Sequence, residues 1–367
     1  MATNASSLVN FGTTGPAVGE FVYSIGPLTA PSYLPADSYV NRYLVSAYPA
    51  LGNLIVPVLT PVSYTATART LPTSSDWQSI AYGNGVFVAV TYNSNSAATS
   101  SDGITWTART LPSVSNWYSV TFGNGIFVAV TYSNTIAATS PDGITWTSRT
   151  LPSSQFWVSV TFGNGLFVAI AATSTVAATS PDGITWTART LPSSLNWTGV
   201  VYGNGVFVAV ALSTSTAATS PDGINWTART MPGVYSWYSV AFGNGVFVAM
   251  TNSNTAATSQ NGIDWTARTL PSISTWYSIA YGNNSFAAIA NSSAIAATSP
   301  DGITWTSRAL PSSAGWIGIT YGGGKFVTVA NGPSTKAATI DYAVNATDFV
   351  LPVIAPITGT TAYVKAT

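Results

Sequence analysis

Around Trp117 the chain switches between two textures. The run "IFVAV", 126–130, is apolar at every position, whereas its neighbours "WYSVTFGNG" and "IAATSPDG" mix apolar, small and hydroxyl residues and end in Gly or Asn. With "ITWTSRTLP" these make four β-branched and aromatic stretches, each closed by a turn residue, and they predict four antiparallel strands over 117–156. A strand that does not alternate is covered on both faces. The sheets must therefore stack on one another.

The text repeats. The Trp that opens each unit falls at Trp77, Trp117, Trp157, Trp197, Trp237, Trp276 and Trp316, 40 residues apart except for one step of 39. A second series, in the phrase "GI-x-W", gives Trp106, Trp146, Trp186, Trp226, Trp265 and Trp305, so all 13 tryptophans belong to the repeat. Four strands in a period of ~40 residues is the arithmetic of a β-propeller blade, and the expected fold is all-β, a seven-bladed β-propeller spanning 61–342. The second Trp series and the turn residues Asp102, Asp142, Asp182, Asp222 and Asp301 read as building parts, the tryptophans packing blade on blade.

Ring closure has its own signal. The outer-strand phrase "TART" or its variants appears seven times, and its first copy, 67–70, precedes the first complete blade. In the last blade the expected "SPDGITW" has decayed into "IDYAVNATDF". Residues 62–70 are thus expected to supply the outer strand of the last blade, beside 336–340, leaving 343–367 as a C-terminal extension.

Turn chemistry separates two rims. "GNG" between first and second strands is a hairpin signal, and "PDG" between third and fourth strands reads as a hairpin turn closed by a bulge. Both lie at the same end of a blade, because antiparallel connections alternate between ends. The other rim carries the second-to-third loops and the connections between blades, where nearly all the variation falls. Loops on a rigid scaffold are the usual place for recognition, and the candidate binding residues on that rim are Asp76, Tyr92, Asn116, Tyr132, Phe156, Asn196 and Tyr235.

Composition removes several functions. Charged residues are 6% of the chain, 11 basic against 11 acidic, which leaves no basic stripe for nucleic acid and no anionic-lipid surface. Without Cys or His there is no thiol nucleophile, no metal site with ligand spacing and no ordinary general base. No cofactor is expected, and no stretch of ~18 apolar residues predicts membrane insertion. A polar surface built from Ser, Thr and Asn suits an uncharged partner.

Two resemblances add to this reading. The phrase "S-P-D-G-I-T-W" resembles the Asp-box of sialidase-like propellers, which in that family is structural; the sialidase catalytic set has no counterpart, Glu20 being the only glutamate. The segment 30–55, with "LPADS" and "YPAL", resembles the attachment segment of bacteriophage tail-collar and tail-fibre proteins. That implies a virion protein whose residues 1–60 contact other virion proteins, present in several copies on the tail or particle surface, with the propeller offered to host-surface glycan. A purely structural decoration or adaptor role is the alternative. Neither is an enzyme.

Overall fold

The computed structural model describes residues 61–344 and, from the two ends of the chain, the strands Phe21–Ser24, Tyr33–Leu34 and Thr361–Lys365. Two units result, Tyr64–Tyr342 and a second made of Met1–Ser63 with Ala343–Thr367. In the second unit both N-terminal strands pair antiparallel with the C-terminal one, Phe21 opposite Val364 and Tyr33 opposite Lys365. The two chain ends, read from the sequence as separate segments, share a sheet. The remainder of 30–55, with the attachment role assigned to it, lies outside the described residues.

In the larger unit each repeat is a four-stranded antiparallel sheet. The repeat at Trp197 shows the order plainly: Trp197–Gly203, Val206–Ala211, Thr214–Ser220 and Thr227–Tyr235, each paired with its sequence neighbour. Its first turn is Asn204–Gly205, with φ of 47° and 81°, the doubly left-handed geometry of a two-residue hairpin that Asn and Gly adopt at least cost. Burial falls outward along the sheet. The second strand is buried from Phe207 to Ala211 and the third from Ala217 to Ser220, whereas the fourth alternates with only Met231 buried. That gradient is the reason the second strand reads as continuously apolar and the fourth does not.

The "PDG" loop differs from the tight turn expected. Six residues separate Ser140 from Thr147, and an aspartate organises them: Asp142 Oδ1 accepts N–H bonds from Ile144 (2.8 Å) and Thr145 (3.0 Å) and an O–H bond from Ser140 (3.0 Å). Ser140 Oγ in turn accepts from Gly143 N at 2.8 Å. The side chain supplies the acceptor that a closing strand partner would have supplied, so a longer loop costs no unsatisfied N–H.

Repeats stack through residues shared between neighbours. Trp146 closes on its own loop, Nε1 donating to Gly143 O at 3.0 Å, and lies in one cluster with Val88, Val90, Ala97 and Trp117 of the preceding repeat and its own. The strand-opening Trp117 is wholly buried there. At ~200 Å² and ~25 cal/mol per Å², each such ring contributes on the order of 5 kcal/mol of transfer free energy. Glycine makes the close approach possible: a Cβ on Gly83 would overlap the Phe122 ring, one on Gly123 the Phe162 ring, and so on around to Gly322, which faces Tyr82 of the first repeat. The series returns to its start.

Closure involves the chain before the first repeat. The strand run Pro61–Gly83 is flanked in its sheet by Ser334–Val344 on one side and Val86–Tyr92 on the other. Arg69 Nε donates to Thr339 Oγ1 at 3.0 Å, and Trp77 Nε1 donates to Ser334 O at 3.1 Å. Leu71, Trp77 and Phe87 share a cluster with Val327, Val329 and Ala337.

Candidate functional site

The first strand of every repeat pairs with its own second strand, and these first strands surround a cavity of about 330 Å³. The residue following each strand-opening Trp lines it: Gln78, Tyr118, Val158, Thr198, Tyr238, Tyr277 and Ile317. So does the next residue, Ser79, Ser119, Ser159, Gly199, Ser239, Ser278 and Gly318. A strand presents unpaired N–H groups on a side that has no strand partner, and here serines satisfy some of them: Val120 N donates to Ser79 Oγ (3.1 Å), Val160 N to Ser119 Oγ (3.1 Å) and Val200 N to Ser159 Oγ (3.2 Å). Having accepted an N–H, each of these three hydroxyls retains its own proton for donation. Among the described residues no charged side chain lines the cavity.

Aromatic rings gather at the end of the cavity that belongs to the variable rim. Tyr118 stacks on Tyr132 at 5.4 Å, Tyr132 stacks on Phe156 at 4.6 Å, and Tyr92 lies 6.4 Å from both tyrosines. On the far side Tyr238 and Tyr277 are 5.2 Å apart, and the Tyr277 phenol interacts with that of Tyr118 across the axis. Burial pushes the Tyr118 and Tyr277 phenols up from their ordinary value, so both remain protonated donors. The rim residues that line the cavity are Tyr132, Ala172, Asn196 and Leu212, all from the repeats opened by Trp117, Trp157 and Trp197. The mouth is therefore eccentric.

Of the candidate residues, the structure brings together Tyr92, Tyr132 and Phe156, and places Asn196 on the cavity wall. Asp76 and Asn116 stand at the equivalent position of their own repeats: Asp76 Oδ1 accepts from Gly332 N at 2.7 Å, while the main-chain carbonyl of Asn116 accepts from Tyr132 N at 2.8 Å, as that of Asn196 accepts from Leu212 N at 2.9 Å. Tyr235 is elsewhere. It sits two residues before its Trp, where Phe156 sits one before, and packs edge-on against Trp237 at 5.7 Å. The single-residue offset turns it toward the third strand, Tyr235 pairing with Thr214, whereas Phe156 pairs with Tyr132 and Ala172. Sequence reasoning missed Tyr118, Tyr238, Tyr277 and the serines. The available signal was the residue after each opening Trp, which varies within an otherwise constant strand.

The turn aspartates occupy the opposite rim. Asn84 of the first "GNG" donates to Pro141 O of the next repeat's loop at 3.3 Å, and Asn124 to Pro181 O at 3.4 Å, tying hairpin turns to aspartate loops around that face. Main-chain N–H bonds from Thr145 and Ile144 hold the Asp142 carboxyl below its ordinary value, and Asp102 and Asp182 are held the same way by Thr105 with Ile104 and by Thr185 with Ile184.

No family model matches the chain, and no curated protein matches it by sequence. Solved structures do. Virginiamycin B lyase from Staphylococcus aureus superposes with a TM-score of 0.69 at 12% identity, covering 76% of this chain and 99% of that one. YCF48 bound to D1 peptide gives 0.62 at 18% identity, with 80% and 99% covered. The computationally designed Ika8 protein gives 0.52 at 11%, with 78% and 100% covered. The repeat body is a β-propeller. At such identities the likeness shows fold and nothing further.

Proposed function

We propose that this chain is a non-catalytic virion component whose seven-bladed propeller binds a neutral host-surface glycan at the mouth of its central cavity. The observation carrying the reading is the site itself: an uncharged cavity walled by hydroxyls, with stacked tyrosines and a 40%-exposed Phe156 at its entrance. Sugars offer apolar ring faces and many hydroxyls, and aromatic platforms beside O–H and amide groups match both. The blade number is supported by the seven core clusters of the described residues, each joining successive repeats. The virion setting rests on the tail-collar-like text at 30–55.

An enzyme reading is weaker on chemistry. The lyase of the same fold loses catalysis in a histidine-to-alanine form, and this chain has no histidine at all. Acid–base work would need groups that titrate near neutrality converging on the ligand; among the described residues no Asp, Glu, Lys or Arg lines the cavity, and burial pushes the Tyr118 and Tyr277 phenols up, away from neutral pH. The test is binding of purified protein to immobilised neutral polysaccharides together with antibody labelling of intact particles. Saccharide binding weakened by Phe156→Ala supports the reading, and release of new reducing ends overturns its non-catalytic part.

A decoration or adaptor role is the second reading, favoured by Val114, Val234 and Ile273. They stand 69%, 71% and 79% exposed on the connections between blades, where bare apolar side chains suit a protein partner better than a glycan.

A further inference from the structure

Resting on that reading, we infer that the cavity takes the end of a saccharide chain, one ring inserted through an off-centre mouth between Phe156 and Asn196 and the next ring left on Phe156. The position that ends the second strand decides where the mouth lies. It is Tyr92 and Tyr132 in the first two repeats and Ala172 in the third, and only there does a small side chain stand between the aromatic stack and Asn196 on the wall. Tyr118 and Tyr277 both line the cavity beside this opening. Tyr132 and Phe156, parallel to within 25° at 4.6 Å, form a continuous apolar wall running inward to Tyr118.

Inside, the geometry fits a terminal ring. A volume of about 330 Å³ is at the lower end of the ~300–1,000 Å³ typical of small-ligand pockets. Strands surround it about the axis, so a chain cannot lie across it as it would in an open groove. Ser79, Ser119 and Ser159 offer O–H donors at one depth. In the next repeat after Ser159, Gly199 replaces the serine, and a Cβ there would meet the backbone of Ser239 and Val240 at an ordinary 3.7 Å. A Cβ is thus accommodated at Gly199, and a longer side chain on this cavity-lining residue narrows the cavity.

The experiment is calorimetric titration of the full chain with neutral gluco-, galacto-, manno- and N-acetylglucosamine oligosaccharides, each in a series of increasing length. Chain-end recognition predicts one protein per chain at every length and a molar affinity that stops rising after the disaccharide. Gly199→Leu, which narrows the cavity, and Ala172→Tyr, which restores at the mouth the aromatic of the two preceding repeats, should each weaken binding about tenfold or more with melting temperature unchanged. Stoichiometry growing with chain length, or Gly199→Leu binding like the native protein, overturns the inference while leaving the glycan reading in place. Binding to no saccharide of the panel overturns both.

Discussion

Arg69 and Thr339 stand 270 residues apart and make the bond that Arg109 and Thr99 make at a separation of ten: guanidinium Nε to threonine Oγ1, 3.0 Å in one case and 2.9 Å in the other. The same pair recurs at Arg149–Thr139, Arg189–Thr179 and onward to Arg308–Thr298. A contact that is local in every other repeat is the longest-range one in the closing repeat. Ordinary fourth-strand text placed ahead of the first repeat thereby joins the two ends of the ring.

Deleting residues 1–70 should therefore lower the melting temperature far more than losing one Arg–Thr bond. The single bond is worth about 0.5–1.5 kcal/mol, so Arg69→Ala and Arg109→Ala should shift thermal unfolding by similar small amounts. Truncation also removes Tyr64 and Ala66 from the cluster that holds Leu310, Ala338 and Ile340. Melting of the truncated protein at the native temperature would show that the closing strand contributes little.

How much of this was legible depended on whether the information was local. The period of the tryptophans, the Asn204–Gly205 type of hairpin turn and the orphan "TART" copy are all written within a few residues of where they act. The cavity is not. Tyr118 and Tyr277 meet only because closure brings two distant repeats across one axis, and nothing beside either residue says that the first strand is the innermost. Tyr235 shows the converse failure: it looks like the counterpart of Phe156, but a one-residue offset in a strand sends a side chain to a different neighbour.

Acid should destabilise the ring through the aspartate loops. Asp102, Asp142 and Asp182 have folded-state values below the ordinary 3.8 because Thr105, Thr145 and Thr185, then the preceding isoleucines, donate N–H bonds to them. A depressed folded value gives stabilisation that is fully present above the unfolded value and lost as pH falls through the folded one. With no histidine to titrate, melting temperature should be nearly flat from about pH 5 to 8 and fall below about pH 4. Asn261 already makes the same two backbone bonds, at 2.9 Å to Ile263 N and Asp264 N. Asp142→Asn should accordingly keep its neutral-pH stability and reduce the acid slope.

Glycines that look alike should behave differently. Gly163 lies against Tyr202 so closely that a Cβ would overlap the ring, while Gly199 has ordinary contact distances around it. Gly163→Ala should lose about 1–3 kcal/mol through forced displacement of the aromatic, and Gly199→Ala should be close to neutral. Denaturant unfolding of the two variants distinguishes them, and equal losses would mean that the Gly163–Tyr202 approach relaxes at little cost.

Phe156 and Tyr235 provide the sharpest comparison on the recognition rim. Both are aromatic, both precede an opening Trp, and their exposures are close at 40% and 36%. Phe156 stacks on Tyr132 at the cavity mouth, whereas Tyr235 spends its ring on Trp237. Interface aromatics that sit over a desolvated pocket are the usual hot spots, so Phe156→Ala should weaken saccharide binding by about 1–3 kcal/mol with little change in melting temperature. Tyr235→Ala removes packing from a buried Trp, and should do the reverse: a lower melting temperature with affinity intact. Affinity titrations paired with thermal melts of both variants read the two effects separately. If Tyr235→Ala were the one to abolish binding, the contact surface would lie on the connections between blades beside Val234, and a protein partner would be the better account of this rim.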